Sequence, residues 1–104
     1  MNQEILLARI KQTVLSLEPS AEVILYGSRA RGEGSPESDW DFLILLDGSV
    51  DARRKAALRR RLYELEWESG EVISPFIRSR EEWMNPLLEA SPFHERIAEE
   101  GVRL

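Results

Sequence analysis

The chain has 104 residues, 42% of them hydrophobic, and no cysteine, which is the size of one domain with its own core and excludes disulfides and thiolate metal sites. Its formal charge of −5 makes a poor surface for a long phosphate backbone, so general nucleic-acid binding is disfavoured while a small local anion site is not. No apolar stretch approaches the about 20 residues that span a bilayer, and Met1-Asn2-Gln3-Glu4 lacks the basic start of a signal peptide; with the missing cysteine this fits a cytoplasmic protein.

Taken in chain order, Leu6, Ile10, Val14 and Leu17 repeat at helical spacing and predict a helix over 3–17, closed by Pro19 and Ser20. Residues 21–26 form a short apolar run that predicts a largely buried strand, broken at Gly27. Residues 28–31 suit a first helical turn or a longer helix that frays at Gly32, and 32–38 is a polar loop with two glycines and a proline. Residues 40–46 give the clearest strand signal. Ser49 or Asp51 caps a helix running to about Ser69, with Leu58, Leu62 and Leu65 on its inner face and Gly70 as its stop. A third strand spans 72–77. Its Pro75 cannot donate to a ladder, so the strand belongs at an edge or carries a bulge. Ser79 and Ser91 cap two further helices, the last ending near Gly101. The expected fold is a single α/β (α+β) domain over 1–104, a small mixed sheet of about three core strands flanked by helices. Its motif core is 21–78 and its helical tail 79–104.

Two short motifs carry the chemistry. Glycine at position 27 lets the backbone approach a ligand without a Cβ clash, and free N–H groups opening a turn after it favour an anion. Ser28 adds a hydroxyl donor. Asp39 and Asp41 are one residue apart, so on a strand both carboxylates share a face while Trp40 and Phe42 point the other way. Two convergent carboxylates repel unless a hard cation compensates, and magnesium takes one or two carboxylates and completes its shell with water and substrate phosphates. Each motif alone reads more plainly as an ordinary turn or a solvated strand start. One metal–phosphate site explains both, because an anion turn after one strand and an acidic pair opening the next can be brought together by the fold.

Gly27-Ser28, ten intervening residues and Asp39-x-Asp41 resemble the signature of the DNA polymerase beta-like nucleotidyltransferase superfamily, in particular its small stand-alone minimal nucleotidyltransferase branch. Arg29-Ala30-Arg31-Gly32 and Ser38 extend the likeness, which covers roughly 3–78 and is specific over 26–46. The resemblance implies a transferase that moves a nucleoside monophosphate, AMP from magnesium ATP or the equivalent from another nucleoside triphosphate, to a hydroxyl acceptor. Gly27 and Ser28 would hold the triphosphate and Asp39 and Asp41 the Mg2+. It also implies an all-helical HEPN partner in a toxin–antitoxin pair. Ser38 is placed with the phosphate-binding set. Arg29 and Arg31 are placed either to reach phosphate oxygens or to pair with Glu33 or Glu37.

The likeness weakens on the third strand. Full catalysts of this superfamily carry a third acid there, and the matching position is Ser74, which is a poor magnesium ligand and no base. Glu71, three residues earlier, faces the opposite side of a regular strand unless a bulge near Pro75 turns it, and Asp47 lies beyond the far end of its strand. The alternative function is therefore a nucleotide-binding antitoxin that has lost efficient transfer and acts by binding a helical partner.

The remaining features read more plainly. Arg53-Arg54-Lys55 and Arg59-Arg60-Arg61 suit a solvated helix face, though their order ahead of Glu64, Glu66 and Glu68 opposes the helix dipole and marks a partner contact as the alternative. Trp40, Trp67 and Trp83 suit core or interface anchors. The lone His94 suits a surface or capping role. Phe93, Ile97 and Val102 give the tail an apolar face that packs on the sheet or docks a second chain in a homo-oligomer.

Overall fold

The computed structural model describes residues 1–104. Helix α1 (Gln3–Leu17) starts at Asn2, whose side chain accepts the Ile5 N–H, and buries Leu6, Ile10 and Val14. Helix α2 (Ala52–Ser69) starts at Asp51, whose carboxylate accepts the Arg54 N–H, and ends where Gly70 turns left-handed at φ 74°. Its inner stripe is Leu58, Leu62 and Leu65, as the spacing requires.

Three strands, β1 (Glu22–Tyr26), β2 (Trp40–Leu46) and β3 (Ile73–Ser79), form the sheet in the order β3-β2-β1, and a two-residue strand β4 (Val102–Arg103) adds to the outer edge of β1. β1 runs antiparallel to β2, and β3 runs parallel to it. Pro75 lies on the edge strand opposite Phe42, where its missing N–H costs no ladder bond.

β2 is the centre of the molecule, and its alternation divides the core. Trp40, Phe42, Ile44 and Leu46 pack with Val23, Leu25, Ile73 and Ile77 against α1 and α2. Leu43 and Leu45 face the other way, onto Trp83 and Ile97 of the tail. The tail consists of α3 (Arg80–Trp83), α4 (Pro86–Glu89) and α5 (Pro92–Glu100). Ser79 and Glu82 form a reciprocal capping box at α3, and Ser91 caps α5 by accepting the His94 N–H. Phe93 makes edge-to-face contacts with Tyr26, Phe76 and Trp83, so the tail packs on the sheet. Its Val102 stays exposed on the edge strand.

Two short elements have no counterpart in the sequence expectations. α4 is a single turn between Asn85 and Ala90, and β4 holds two residues, so neither is long enough to show a period. No helix is long and apolar enough to cross a membrane. Ile97 is the buried anchor of α5, and Ile97→Ala is expected to cost about 2–5 kcal/mol in urea unfolding. Amide exchange over 92–104 should accelerate more than over α1, because the truncation acts on the second face alone.

Candidate functional site

The acidic pair sits where β1 ends and β2 begins, on the face that carries Tyr26 and Ser74. The pairing register sets Tyr26 opposite Asp41 and Asp41 opposite Ser74, so one row across the sheet reads Tyr26, Asp41, Ser74. Asp39 precedes the strand and is exposed. Its Oδ2 lies 3.4 Å from the Ser74 hydroxyl, which donates to it.

Gly27 closes this row. Its φ is +79°, and a Cβ built there would stand 2.5 Å from Asp41 Oδ2. The missing side chain is what lets the Asp41 carboxylate lie against the turn. Beyond it the chain makes one tight turn in which the N–H groups of Ala30 and Arg31 both donate to the Gly27 carbonyl, at 3.1 and 3.2 Å. The Ser28 and Arg29 N–H groups and the Ser28 hydroxyl take no partner within the chain. The turn stops at Gly32 and does not continue into a helix.

The two arginines of the motif have other employment. Arg29 donates from Nε and Nη2 to the Ser38 carbonyl at 3.3 and 3.1 Å and lies 4.3 Å over the Trp40 ring. It also pairs with Glu71 at 3.5 Å, with only 6% of its side chain exposed. A Cβ at Gly34 would meet Arg29 Cδ at 2.6 Å, so that glycine makes room for the crossing guanidinium. Arg31 pairs with Glu33 at 2.9 Å and with Glu100 at 3.0 Å, which ties the turn to α5. Of the two alternatives open to these arginines in the sequence, the structure shows pairing with carboxylates, but the partners include Glu71 and Glu100 rather than Glu37. The Ser38 hydroxyl accepts the Ser35 N–H at 2.9 Å, closing the loop. Gly27, Asp39 and Asp41 thus converge, with Ser28 next to Gly27 in the turn, while Arg29, Arg31 and Ser38 hold the loop between them.

Glu71 stays with the Trp40 side of the sheet. It accepts the Trp40 indole N–H at 3.2 Å and pairs with Arg29, so no bulge brings it to the acidic pair. Asp47 is bound by Arg80 at 2.7 Å at the far end of β2. The position beside Asp41 on β3 belongs to Ser74, and no third acid or histidine joins the two aspartates.

Electrostatics disfavour the ionised form of Asp41. Partial burial, then repulsion from Asp39, pushes the Asp41 carboxyl above its ordinary value. Burial, then the Asp41 charge, raises the Tyr26 phenol. Neither aspartate enters an ion pair, and Arg29 and Arg31 of the motif pair with other carboxylates. A divalent cation suits this donor set. Two carboxylate ligands, open solvent above them and adjacent N–H groups match the way magnesium binds through one or two carboxylates plus substrate phosphate.

A nucleotidyltransferase domain family model matches residues 7–103. The chain belongs to the nucleotidyltransferase domain family. A crystal structure of a toxin–antitoxin with AMP-PNP shares this fold, with a TM-score of 0.64 and 17% identity over 92% of this chain and 69% of that one. No curated protein matches the chain. Within this nucleotidyltransferase domain Asp39, Asp41 and Ser74 stand side by side at the start of β2.

Two outcomes follow for the metal-free domain. Arg29→Ala removes three contacts of a buried guanidinium and is expected to cost about 1–3 kcal/mol, with faster amide exchange over 32–38. Asp41→Asn is expected to raise the melting temperature by a few degrees without divalent cations. The sign follows from the raised carboxyl: ionisation in the folded state is penalised above its folded value, and the penalty fades as pH falls through that value. Calorimetry at neutral and acidic pH should show the gain of Asp41→Asn shrinking on acidification. Magnesium should stabilise the native chain and not the variant.

Proposed function

We propose that this nucleotidyltransferase domain transfers a nucleoside monophosphate, AMP from magnesium ATP, to a hydroxyl of a protein or small-molecule acceptor. One observation carries the reading: the Gly27-Ser28 turn, with its uncommitted N–H groups, lies against an Asp39–Asp41 pair that has no compensating cation of its own. Asp39 and Asp41 would hold Mg2+, and the Gly27–Ser28 backbone and hydroxyl would hold the triphosphate. The cation supplies charge neutralisation on the phosphates when bound. The solved relative with AMP-PNP, an ATP analogue, supports adenine nucleotide over other triphosphates.

The residues of this chain fix the polyphosphate and the acceptor geometry. The acceptor oxygen forms a bond to the α-phosphorus as the bond from that phosphorus to the bridging oxygen breaks, and pyrophosphate departs. Positioning and electrostatic stabilisation dominate such phosphoryl chemistry. The acceptor proton has no carboxylate at position 74 to receive it. It passes to water or to a base that the acceptor brings. Arg29 and Arg31 act through the loop: by gripping the Ser38 carbonyl, Arg29 sets the backbone immediately before Asp39.

Ser74 favours a second reading, in which the domain binds magnesium nucleotide and acts as the antitoxin of a helical HEPN-type toxin in the cytoplasm, with little or no transfer. The toxin–antitoxin relative supports a protein partner. ATP labelled at its α-phosphate, magnesium and the product of the neighbouring gene separate the two. On the first reading label passes to the acceptor, Asp39→Ala with Asp41→Ala abolishes it, and Ser74→Asp raises the rate toward the about 10²-fold that a general base supplies. Transfer that survives the double alanine variant would exclude this site. Binding of magnesium ATP without transfer, in both the native chain and Ser74→Asp, would establish the regulator.

A further inference from the structure

The largest concavity of the molecule lies away from the acidic pair, on the α1/α2 face of the sheet. It is a groove of about 660 Å³ between α2 and the β3 edge. Its walls are apolar where Tyr63, Ile73 and Pro75 meet, and Lys55, Arg59 and Arg60 line it from α2 together with Glu66, whose carboxylate is engaged by the Ile73 N–H. None of these three cations enters an ion pair, whereas Arg54 and Arg61 on the same helix do. The solvated basic face expected from the sequence is therefore divided. Arg54 is anchored to Glu18 and to the carbonyls of Asp47 and Ser49, and three of the uncommitted cations line the groove. Beside it, Tyr63 and Trp67 stand edge to face at 57% and 76% exposure, a cost in exposed aromatic area that intramolecular packing does not offset.

The backbone of β3 decides what form an occupant takes. The Val72 carbonyl accepts the Trp40 N–H, so alternation turns the amides of 73, 75, 77 and 79 away from β2. The Ile73 N–H already donates to the Glu66 carboxylate at 2.7 Å. Pro75 has no N–H, and the Ser79 N–H donates to Glu82 at 3.1 Å. The Ile77 carbonyl accepts from Arg78 at 3.0 Å. The Ile77 N–H takes no partner but belongs to a residue with no exposed surface, so this edge offers an added strand no accessible amide. An occupant must be read through side chains, as a helix in a groove is. From Lys55 to Trp67 the α2 wall runs about 18 Å at helical rise, the length of about three turns. On a chain of net charge −5, three unpaired cations around an apolar floor select an acidic ligand that also carries apolar side chains. A nucleic-acid backbone meets the charge of the whole chain instead.

We propose that the groove between α2 and the β3 edge docks an acidic amphipathic helix of a partner protein. The proposal does not rest on the transfer reading, because the groove and the acidic pair occupy opposite faces of the sheet. The probe is a helix-stabilised peptide of about four turns with leucines along one face and glutamates flanking them. Its control has lysine at every glutamate. The acidic peptide is expected to bind the full chain and to shift amide resonances of 55–67 and 73–77 while leaving 27–41 unmoved. Arg59→Glu with Arg60→Glu should weaken it at least about tenfold, and so should Tyr63→Ala, with circular dichroism unchanged since all three side chains are solvent-facing. The lysine peptide should not bind. Absence of acidic-peptide binding, equal binding of the lysine peptide, or affinity that survives these substitutions would overturn the proposal. Preferential binding of a single-stranded oligonucleotide would overturn it as well. So would self-association in sedimentation that the Arg59 and Arg60 substitutions abolish, which would assign the groove to a second copy of the chain.

Discussion

The structure depends on the double burial of β2. A strand with apolar side chains on both faces must be covered on both, and α1 with α2 covers one while the tail, through Trp83 of α3 and Ile97 of α5, covers the other. The two faces part company at its first residues. Trp40 goes under α2, and Asp41 emerges beside it on the opposite side, where the sheet runs out from under the tail. The acidic pair is thus a by-product of strand alternation at a place where one cover ends. A carboxylate one residue further along β2 would fall among the fully buried side chains of the core and stay uncharged or unfold the strand.

What fixes that emergence point is the buried guanidinium of Arg29. It spans the ring of Trp40, the carbonyl before Asp39 and the carboxylate of Glu71, so it joins the Gly-Ser turn, the acidic strand start and the entrance of β3 in one contact set. Glu71 serves here as the counter-charge of that arginine. An acid engaged in this way sits behind the site and holds its frame, which explains how a carboxylate close in sequence to the third strand contributes nothing at its front.

Much of this was legible in the residues. α2 announces itself because helical periodicity, the capping Asp51 and the C-terminal Gly70 all agree, α1 by its periodicity and β2 by its apolar run. The Gly27-Ser28 and Asp39-x-Asp41 spacing located the convergent set, since alternation on a strand is a local rule. The employment of Arg29 was not legible. Its partners Ser38 and Glu71 come from two loops and Trp40 from a strand, and no local pattern says that these meet. Nor was the pairing of Arg31 with Glu100, which requires α5 to fold back over the turn. The division of the basic helix face into anchored Arg54 and unpaired Arg59 and Arg60 likewise needs the position of Glu18, carried at the end of α1.

The serine at position 74 changes what the proposed site asks of its ligands. Three carboxylates would attract a bare cation strongly and repel one another strongly without it. Two carboxylates, one of them already shifted toward the neutral form by burial and its neighbour, hold a bare cation less firmly. In the proposed site the deficit would be made up when the cation arrives with phosphate oxygens, because the Ser28 and Arg29 N–H groups would then bind the anion that accompanies it. Metal and nucleotide would accordingly bind as one unit, each raising the affinity for the other by the same factor. Such a site senses magnesium nucleotide more sharply than either component. That property serves a transferase that waits for its acceptor and a regulator that reports nucleotide to a partner docked on the far face of the sheet.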